Sequence, residues 1–313
     1  MEHQKISLAT KPGAFLHIST LFPDPSDRPN GPLENVLVVF LNGLILSRET
    51  WFEAIDQLIE SRHRVGQPLP ALLSYDRYGQ GDSDPDPNDP QDTAYGHDAM
   101  EVITDLHQLL EQVSRDYLRS PLGDLAIAFV CNSIGCPLAR LYAAEHPGSV
   151  SAVLFLDSMM ANTDFVSLFP DPDHVDFDPG KLPSNVSVRD IQHARERFAK
   201  LFHPTVANPE HFDRRNLSQL LPHADRPNLP SAPGGHSPRL VVVGHDLDEF
   251  ARQCEEVRYP EDQSFLPGLI SHATIHLFMF PQHTPHFRQI NNKTHTNSPF
   301  GTCRARCLSP APS

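Results

Sequence analysis

Short runs of consecutive apolar residues alternate along this chain with segments in which apolar residues recur every three or four positions. Runs rich in β-branched residues are typical of parallel strands buried on both faces, and the wider spacing is typical of amphipathic helices. Five runs are predicted to form strands: 34–41, 70–75, 125–131, 150–156 and 239–243. In the first 157 residues, three segments are predicted to form helices: 51–59, 99–113 and 138–146. The alternation predicts a mostly parallel, doubly wound α/β sheet.

One predicted strand runs through a turn of small residues, Cys131 to Gly135, directly into a helix. In a strand–turn–helix of this kind a serine hydroxyl stands clear of the sheet, and the next N–H faces the reacting carbonyl. This pattern favours Ser133 as a nucleophile. Glycine usually stands two positions before and after such a serine, and Gly135 fits, whereas Cys131 replaces the first glycine. A plain strand–helix corner has the same local pattern.

Two further motifs precede this turn. Asn42-Gly43 follows the first long strand, and the turn 76–83 reads Asp-Arg-Tyr-Gly-Gln-Gly-Asp-Ser. In this order the three motifs resemble those of the α/β-hydrolase superfamily, from about Val36 to Val243. The resemblance implies an α/β-hydrolase fold with a helical cap insertion. It also implies an oxyanion hole formed by the backbone N–H groups of Leu44 and Ile134.

The same resemblance implies a catalytic acid after the serine and a histidine after the acid. Asp246 follows the strand 239–243 and is the first candidate for the acid, with Asp248 second. One of the two can instead cap the helix predicted at 249–256. Asp157, at the end of the preceding strand, is a third candidate because some lipase-like relatives carry the acid there.

The histidine is harder to assign, because no Gly-His pair occurs downstream of Asp246. His283 and His286 follow the last apolar run and are the candidates by position, although prolines surround them and no helix pattern follows. His97 and His272 are the next histidines to consider. His283 and His286 are also spaced i, i+3, but without an acidic or cysteine partner no metal site is expected there.

The alternation of strand and helix patterns stops after Asp157. This change predicts four segments. Residues 1–157 form the first part of the hydrolase-like core, and 158–235 form a helical cap with many prolines. In the cap, Ser187 and Asp190 fit a capping box, and a second helix is expected around Pro209 to Leu221. Residues 236–290 form an atypical second part of the core. Residues 291–313 lack hydrophobic periodicity and are expected to be a disordered tail or aberrant sequence.

Composition narrows the possible partners. The formal net charge of -14 argues against nucleic acid or an anionic membrane surface as a partner. No apolar stretch is long enough to span a bilayer, and the first residues lack the apolar core of a signal peptide. Five cysteines without zinc-ligand spacing fit free thiols in a reducing compartment. We therefore expect a cytoplasmic protein that acts on a small molecule; its oligomeric state cannot be read from the sequence.

Two functional hypotheses follow. In the first, the chain is a cofactor-free serine hydrolase that cleaves an ester or related acyl bond of a small apolar molecule. In the second, it is a non-catalytic or base-deficient protein on the same fold, since fold alone does not fix function. An aspartate at position 133 would indicate dehalogenase or epoxide hydrolase chemistry, and Ser133 argues against both.

Overall fold

The computed structural model describes residues 1–23, 33, 35–184, 186–229, 237–244 and 304–307. The candidates Asp246, Asp248, His272, His283 and His286 lie outside the described residues. The chain divides into two compact units. The first comprises Met1–Asn162 and Ala207–Val241, and the second comprises Thr163–Val206 and Val242–Ser313. The cap boundaries 158–235 and the core segments on either side stay a prediction.

The described strands form one sheet. Their bounds are β1 Glu2–Ser7, β2 Phe15–Leu21, β3 Val36–Leu41, β4 Ala71–Tyr75, β5 Ala126–Ser133, β6 Val150–Ser158, β7 Arg239–Gly244 and β8 Arg304–Cys307. The strand order is β1-β2-β4-β3-β5-β6-β7-β8. Strand β3 pairs in parallel with β4 and β5, and β5 pairs in parallel with β6. These pairings confirm the predicted α/β fold with a mostly parallel sheet.

An antiparallel hairpin at the start of the sheet was not predicted from the sequence. Strand β1 pairs with β2, and β2 pairs antiparallel with β4. Ser19 and Thr20 of β2 are polar but fully buried. A prediction from the apolar positions of the sequence therefore does not recognise this strand. Their burial is tolerated because each hydroxyl meets a polar side chain: Ser19 accepts from Arg48, and Thr20 accepts from Gln4.

The five described helices are α1 Phe52–Arg64, α2 Ala99–Val113, α3 Gly135–Glu145, α4 Val188–Leu201 and α5 Leu217–Leu220. Four of the five, α1 to α4, lie close to the predicted positions. A 3-10 turn, Arg48–Trp51, leads into α1, and Trp51 and Ile55 pack against Phe40 of β3. The predicted capping box of Ser187 and Asp190 is present at the start of α4.

The second cap helix, expected around Pro209 to Leu221, is mostly absent. Only the four residues of α5 are helical. Hydrogen bonds of the Asn208 side chain take the place of helical backbone bonds here. The amide oxygen of Asn208 accepts from the Phe212 N–H, and its amide nitrogen donates to the Phe212 carbonyl. His211 adopts a positive φ of 57°, which a helix does not allow. These local bonds outweigh the apolar spacing of the segment.

The structure describes one short segment of the predicted tail. Strand β8 lies within 291–313, and the expectation that 291–313 is disordered stays a prediction. Strand pairing uses backbone N–H and C=O groups, so a short edge strand needs no hydrophobic periodicity. Within the part of the chain that the structure describes, no helix is both long and apolar enough to cross a membrane.

Candidate active site

Ser133 lies at the junction of β5 and α3 with an unusual backbone conformation. It is the last residue of β5, and Ile134 leads into α3. Its φ is +49°, a left-handed value that is rare and strained for a residue other than glycine. The side chain is half-buried rather than enclosed. A sharp reversal of this kind turns the serine away from the line of the strand, as the sequence motif predicts.

The two small-residue positions of the motif are used differently. A side chain at Gly135 would lie less than 3 Å from the carbonyl oxygen of Leu41 in β3, so only glycine lets α3 start this close to the sheet. Cys131, where the motif usually has glycine, is fully buried between Leu41 and Phe155 of the neighbouring strands. The fold therefore accommodates this departure from the motif.

The two cysteines beside Ser133 are poor candidates for the nucleophile. Burial raises the pKa of Cys131 well above its usual range, and burial raises the pKa of Cys136 to about 12. Both thiols therefore stay protonated at neutral pH, and a protonated thiol is a weak nucleophile. Cys136 instead donates its S–H to the backbone carbonyl of Cys131.

Asn42 anchors the loop 42–45, which follows β3. Its amide nitrogen donates to the Tyr75 carbonyl at 2.8 Å and to Gln80 at 2.9 Å. Its amide oxygen accepts from the Trp51 indole N–H at 2.7 Å. Because this side chain is 1% exposed and fully bonded, it fixes the start of the loop to β4 and to the segment that leads into α1.

The loop 42–45 passes close to the serine corner. A side chain at Gly43 would lie 2.7 Å from the amide oxygen of Asn132, the residue before Ser133. Ile45, at the end of the loop, adopts a φ of +58°. Among the described residues, neither the Leu44 N–H nor the Ile134 N–H has a hydrogen-bond acceptor. Two backbone donors are thus available on the segments that the resemblance assigns to an oxyanion hole.

Three buried polar side chains, which we call the brace, contact the loop 42–45: Arg77, Gln80 and Glu210. Arg77 and Glu210 form an ion pair at 2.9 Å, and both are almost completely buried. Sequence reasoning assigned no functional role to any of them. Arg77 and Gln80 belong to the turn 76–83, one of the three motifs that carry the family resemblance. Glu210 has no local signal, because its partner lies 133 positions away.

The described residues hold one candidate for the acid and one for the base. Asp157 lies at the carboxyl end of β6 with a φ of +50°, next to Ser158, which pairs with Ser133. His97 is 2% exposed, its Nδ1 lies 3.1 Å from Asp89, and its ring stacks on a phenylalanine. Among the described residues, no imidazole is hydrogen-bonded to Ser133.

His97 also belongs to a cluster that resembles a cation site. One donor atom from each of Asp86, Asp89 and His97 lies within 4.8 Å of the others. Lys11 already supplies a positive charge here, since its ammonium group bonds to Asp86 and, at 2.7 Å, to Asp105. We therefore interpret the cluster as a buried ion-pair network that ties the chain start to α2.

The second compact unit has an open surface pocket of about 630 Å³. This volume is within the range of small-molecule pockets. Its lining mixes aromatic residues, such as Phe169 and Phe177, with charged residues, such as Asp164 and Lys181. Arg195 of α4 holds one wall by donating to the Phe169 carbonyl at 2.8 Å and pairing with Asp171.

Comparison with known families identifies the class of protein. The sequence model described as "Alpha/beta hydrolase family" matches residues 38–288, which is most of the chain. The chain therefore belongs to the alpha/beta hydrolase family, and this membership supports a hydrolytic function. The comparison with curated proteins finds no match.

Solved structures similar to this chain include several hydrolases. An alpha/beta hydrolase enzyme from a Medee basin deep-sea metagenome library is 18% identical over 48% of this chain and 43% of its own, with a TM-score of 0.33. Est1E from Butyrivibrio proteoclasticus, with ferulic acid bound, is 18% identical over 64% and 74%, with a TM-score of 0.37. An epoxide hydrolase from Vigna radiata is 17% identical over 70% and 72%, with a TM-score of 0.38. This chain thus spans less than half of the metagenome enzyme.

Proposed function

We propose that this chain is a cofactor-free serine hydrolase in which Ser133 attacks an ester or related acyl carbon of a small apolar molecule. The observation that carries the proposal is the φ of +49° at Ser133, at the junction of a buried strand and a helix. Strained backbone of this kind persists only where the surrounding structure imposes it, and here Gly135 packs against β3 to do so. A strand–helix turn that only connects two elements does not require a strained φ at this position.

In the proposed reaction the Ser133 hydroxyl oxygen adds to the carbonyl carbon, and a histidine takes its proton. The N–H groups of Leu44 and Ile134 hold the oxyanion of the tetrahedral intermediate. The histidine then protonates the leaving alcohol, and water releases the acid from the acyl-serine by the same steps. Asp246 orients the histidine, with Asp248 and Asp157 as the alternatives.

An apolar substrate is favoured by the last side chain of the loop 42–45 and the one that follows it. Ile45 is 62% exposed and Leu46 is 40% exposed, although both are large apolar residues. Apolar side chains grouped next to a candidate site provide a contact surface for an apolar acyl or alcohol group.

We expect a fluorophosphonate probe to label the folded protein at Ser133, because the probe reacts only with an activated serine held next to oxyanion donors. Mass spectrometry of the digested protein identifies the labelled residue. The Ser151→Ala variant, which removes an exposed serine at the far end of β6, serves as the control and should label normally. A label on any other residue, or equal labelling after unfolding in urea, would contradict the proposal.

The base is expected to be His283 or His286. Replacing both by alanine should lower the rate of p-nitrophenyl acetate hydrolysis by about 10²- to 10⁴-fold, because the serine hydroxyl then keeps its proton. His63→Ala, on the exposed face of α1, is the matched control. Hydrolysis that survives the double replacement would move the base to His97 or His272. A parent protein with no hydrolysis at all would favour the base-deficient alternative.

A further inference from the structure

Glu210 is a buried carboxylate with a full set of partners. It is 1% exposed, and its Oε1 accepts from the backbone N–H of Ile45 and from Gln80. Its Oε2 accepts from Nε and Nη2 of Arg77, at 3.2 and 2.9 Å. Two donors on one guanidinium fix the orientation of the Arg77 and Glu210 side chains relative to each other, because the guanidinium is planar and rigid.

The rest of the brace engages the carbonyl groups of the loop 42–45. Arg77 donates from Nη1 to the Asn42 carbonyl at 2.9 Å and from Nη2 to the Gly43 carbonyl at 3.1 Å. Gln80 donates to the same Gly43 carbonyl at 2.9 Å. Together with the Ile45 N–H, three backbone polar groups around the Leu44 N–H therefore have a partner in the brace.

The planarity of the peptide bond means that these contacts also fix the direction of the Leu44 N–H. The C=O of Gly43 and the N–H of Leu44 belong to one planar trans peptide, so they point in opposite directions. Two donors on the Gly43 oxygen therefore hold the Leu44 N–H directed away from the brace. The same N–H has no acceptor among the described residues.

The backbone around Glu210 is fixed as well. Gly79 has a φ of +74°, and a side chain there would lie 2.6 Å from the Glu210 carbonyl oxygen. The turn 76–83 thus packs directly on the backbone of Glu210, which limits how far its carboxylate can shift. A buried carboxylate and guanidinium are each costly alone, so Arg77 and Glu210 depend on one another.

We propose that Glu210 is a positioning residue for the oxyanion hole. Through Arg77, Gln80 and the Ile45 N–H it fixes the Gly43–Leu44 peptide with the N–H directed at the reacting carbonyl oxygen. Glu210 itself does not touch the substrate. This inference rests on the proposed serine hydrolase function and adds to it a residue that comes from a distant part of the chain.

The test compares the parent protein with Glu210→Gln, which keeps the size of the side chain but removes the charge that holds Arg77. With p-nitrophenyl acetate, kcat per fluorophosphonate-labelled site should fall by about 10- to 100-fold, since small displacements of an oxyanion donor cost this much. KM should change less than about threefold, because the donor acts mainly on the transition state. A merely structural role would reduce the number of labelled sites and leave kcat per site unchanged.

The matched control is Glu60→Gln on α1. Glu60 also pairs with an arginine, Arg64 at 3.5 Å, but both side chains are more than two-thirds exposed. This variant should keep the parent kcat. If Glu210→Gln does not fold, Glu210→Asp replaces it. That variant keeps the charge but shortens the reach to Ile45, and it should lower kcat per site by about 3- to 10-fold.

The outcomes separate the two proposals. An active parent whose kcat per site is the same in the foldable Glu210 variant overturns the positioning role and leaves the serine hydrolase intact. A parent that neither labels at Ser133 nor hydrolyses the ester overturns both. A lower kcat per site in the Glu210 variant, with Glu60→Gln unchanged, supports the positioning role.

Discussion

Replacing Ser133 by alanine is expected to lower kcat for p-nitrophenyl acetate hydrolysis by at least about 10⁴-fold, because no acyl-enzyme can form without the hydroxyl. The backbone donors of Leu44 and Ile134 remain in this variant, so a small residual rate above that in water is expected. The measurement is steady-state hydrolysis over a range of substrate concentrations.

Two controls make this result specific. Ser151→Ala should keep the parent kcat, and circular dichroism should show that Ser133→Ala is folded. Alanine at a position with a φ of +49° keeps the strain of the native residue, so we expect little change in the free energy of unfolding. A Ser133→Ala protein that retains more than about a tenth of the parent kcat would exclude Ser133 as the nucleophile.

The second large effect is expected on stability, from Asp76→Ala in the turn 76–83. Asp76 is fully buried, and its carboxylate accepts from the guanidinium and the backbone N–H of Arg48 and from the backbone N–H of Asp82. Alanine would leave the buried Arg48 without its main partner, which costs about 3–5 kcal/mol of the free energy of unfolding. Urea denaturation measures this loss directly. The loss is a large share of the total free energy of unfolding of a typical protein.

The pair itself is not a strong source of stability. Burial raises the pKa of Asp76 above its usual value, even though Arg48 opposes that shift. Because the folded pKa is raised, the contribution of this carboxyl to stability falls as the pH rises from the unfolded pKa through the folded one. Replacing both partners, with Asp76→Leu and Arg48→Met, should therefore cost less than Asp76→Ala alone.

A surface pair provides the comparison. Asp116 pairs with Arg115 at 2.7 Å, but both side chains are exposed. Asp116→Ala should change the free energy of unfolding far less than Asp76→Ala does, because exposed ion pairs contribute little. A loss at Asp76→Ala as small as the loss at Asp116→Ala would show that Arg48 finds another partner.

Local patterns were sufficient for most of the fold. The strands β3 to β7 and the helices α1 to α4 were predicted close to their positions, because apolar spacing and capping residues act within a few positions of the chain. The serine corner was predicted for the same reason, since Ser133 and Gly135 lie in one short motif. The second cap helix failed because the side chain of Asn208 satisfies the local backbone instead.

Tertiary structure decided what the motifs could not. The hairpin β1–β2 depends on polar residues such as Ser19 that are buried only because Arg48 and His3 reach them. The brace depends on Glu210, which meets Arg77 across 133 positions of sequence. A buried charge is stable only next to its partner, and no local pattern records which distant segment supplies that partner. The sequence by itself therefore determined the strands β3 to β7, the helices α1 to α4 and the candidate nucleophile, whereas only the packed structure determined the β1–β2 hairpin and how the loop beside that nucleophile is held.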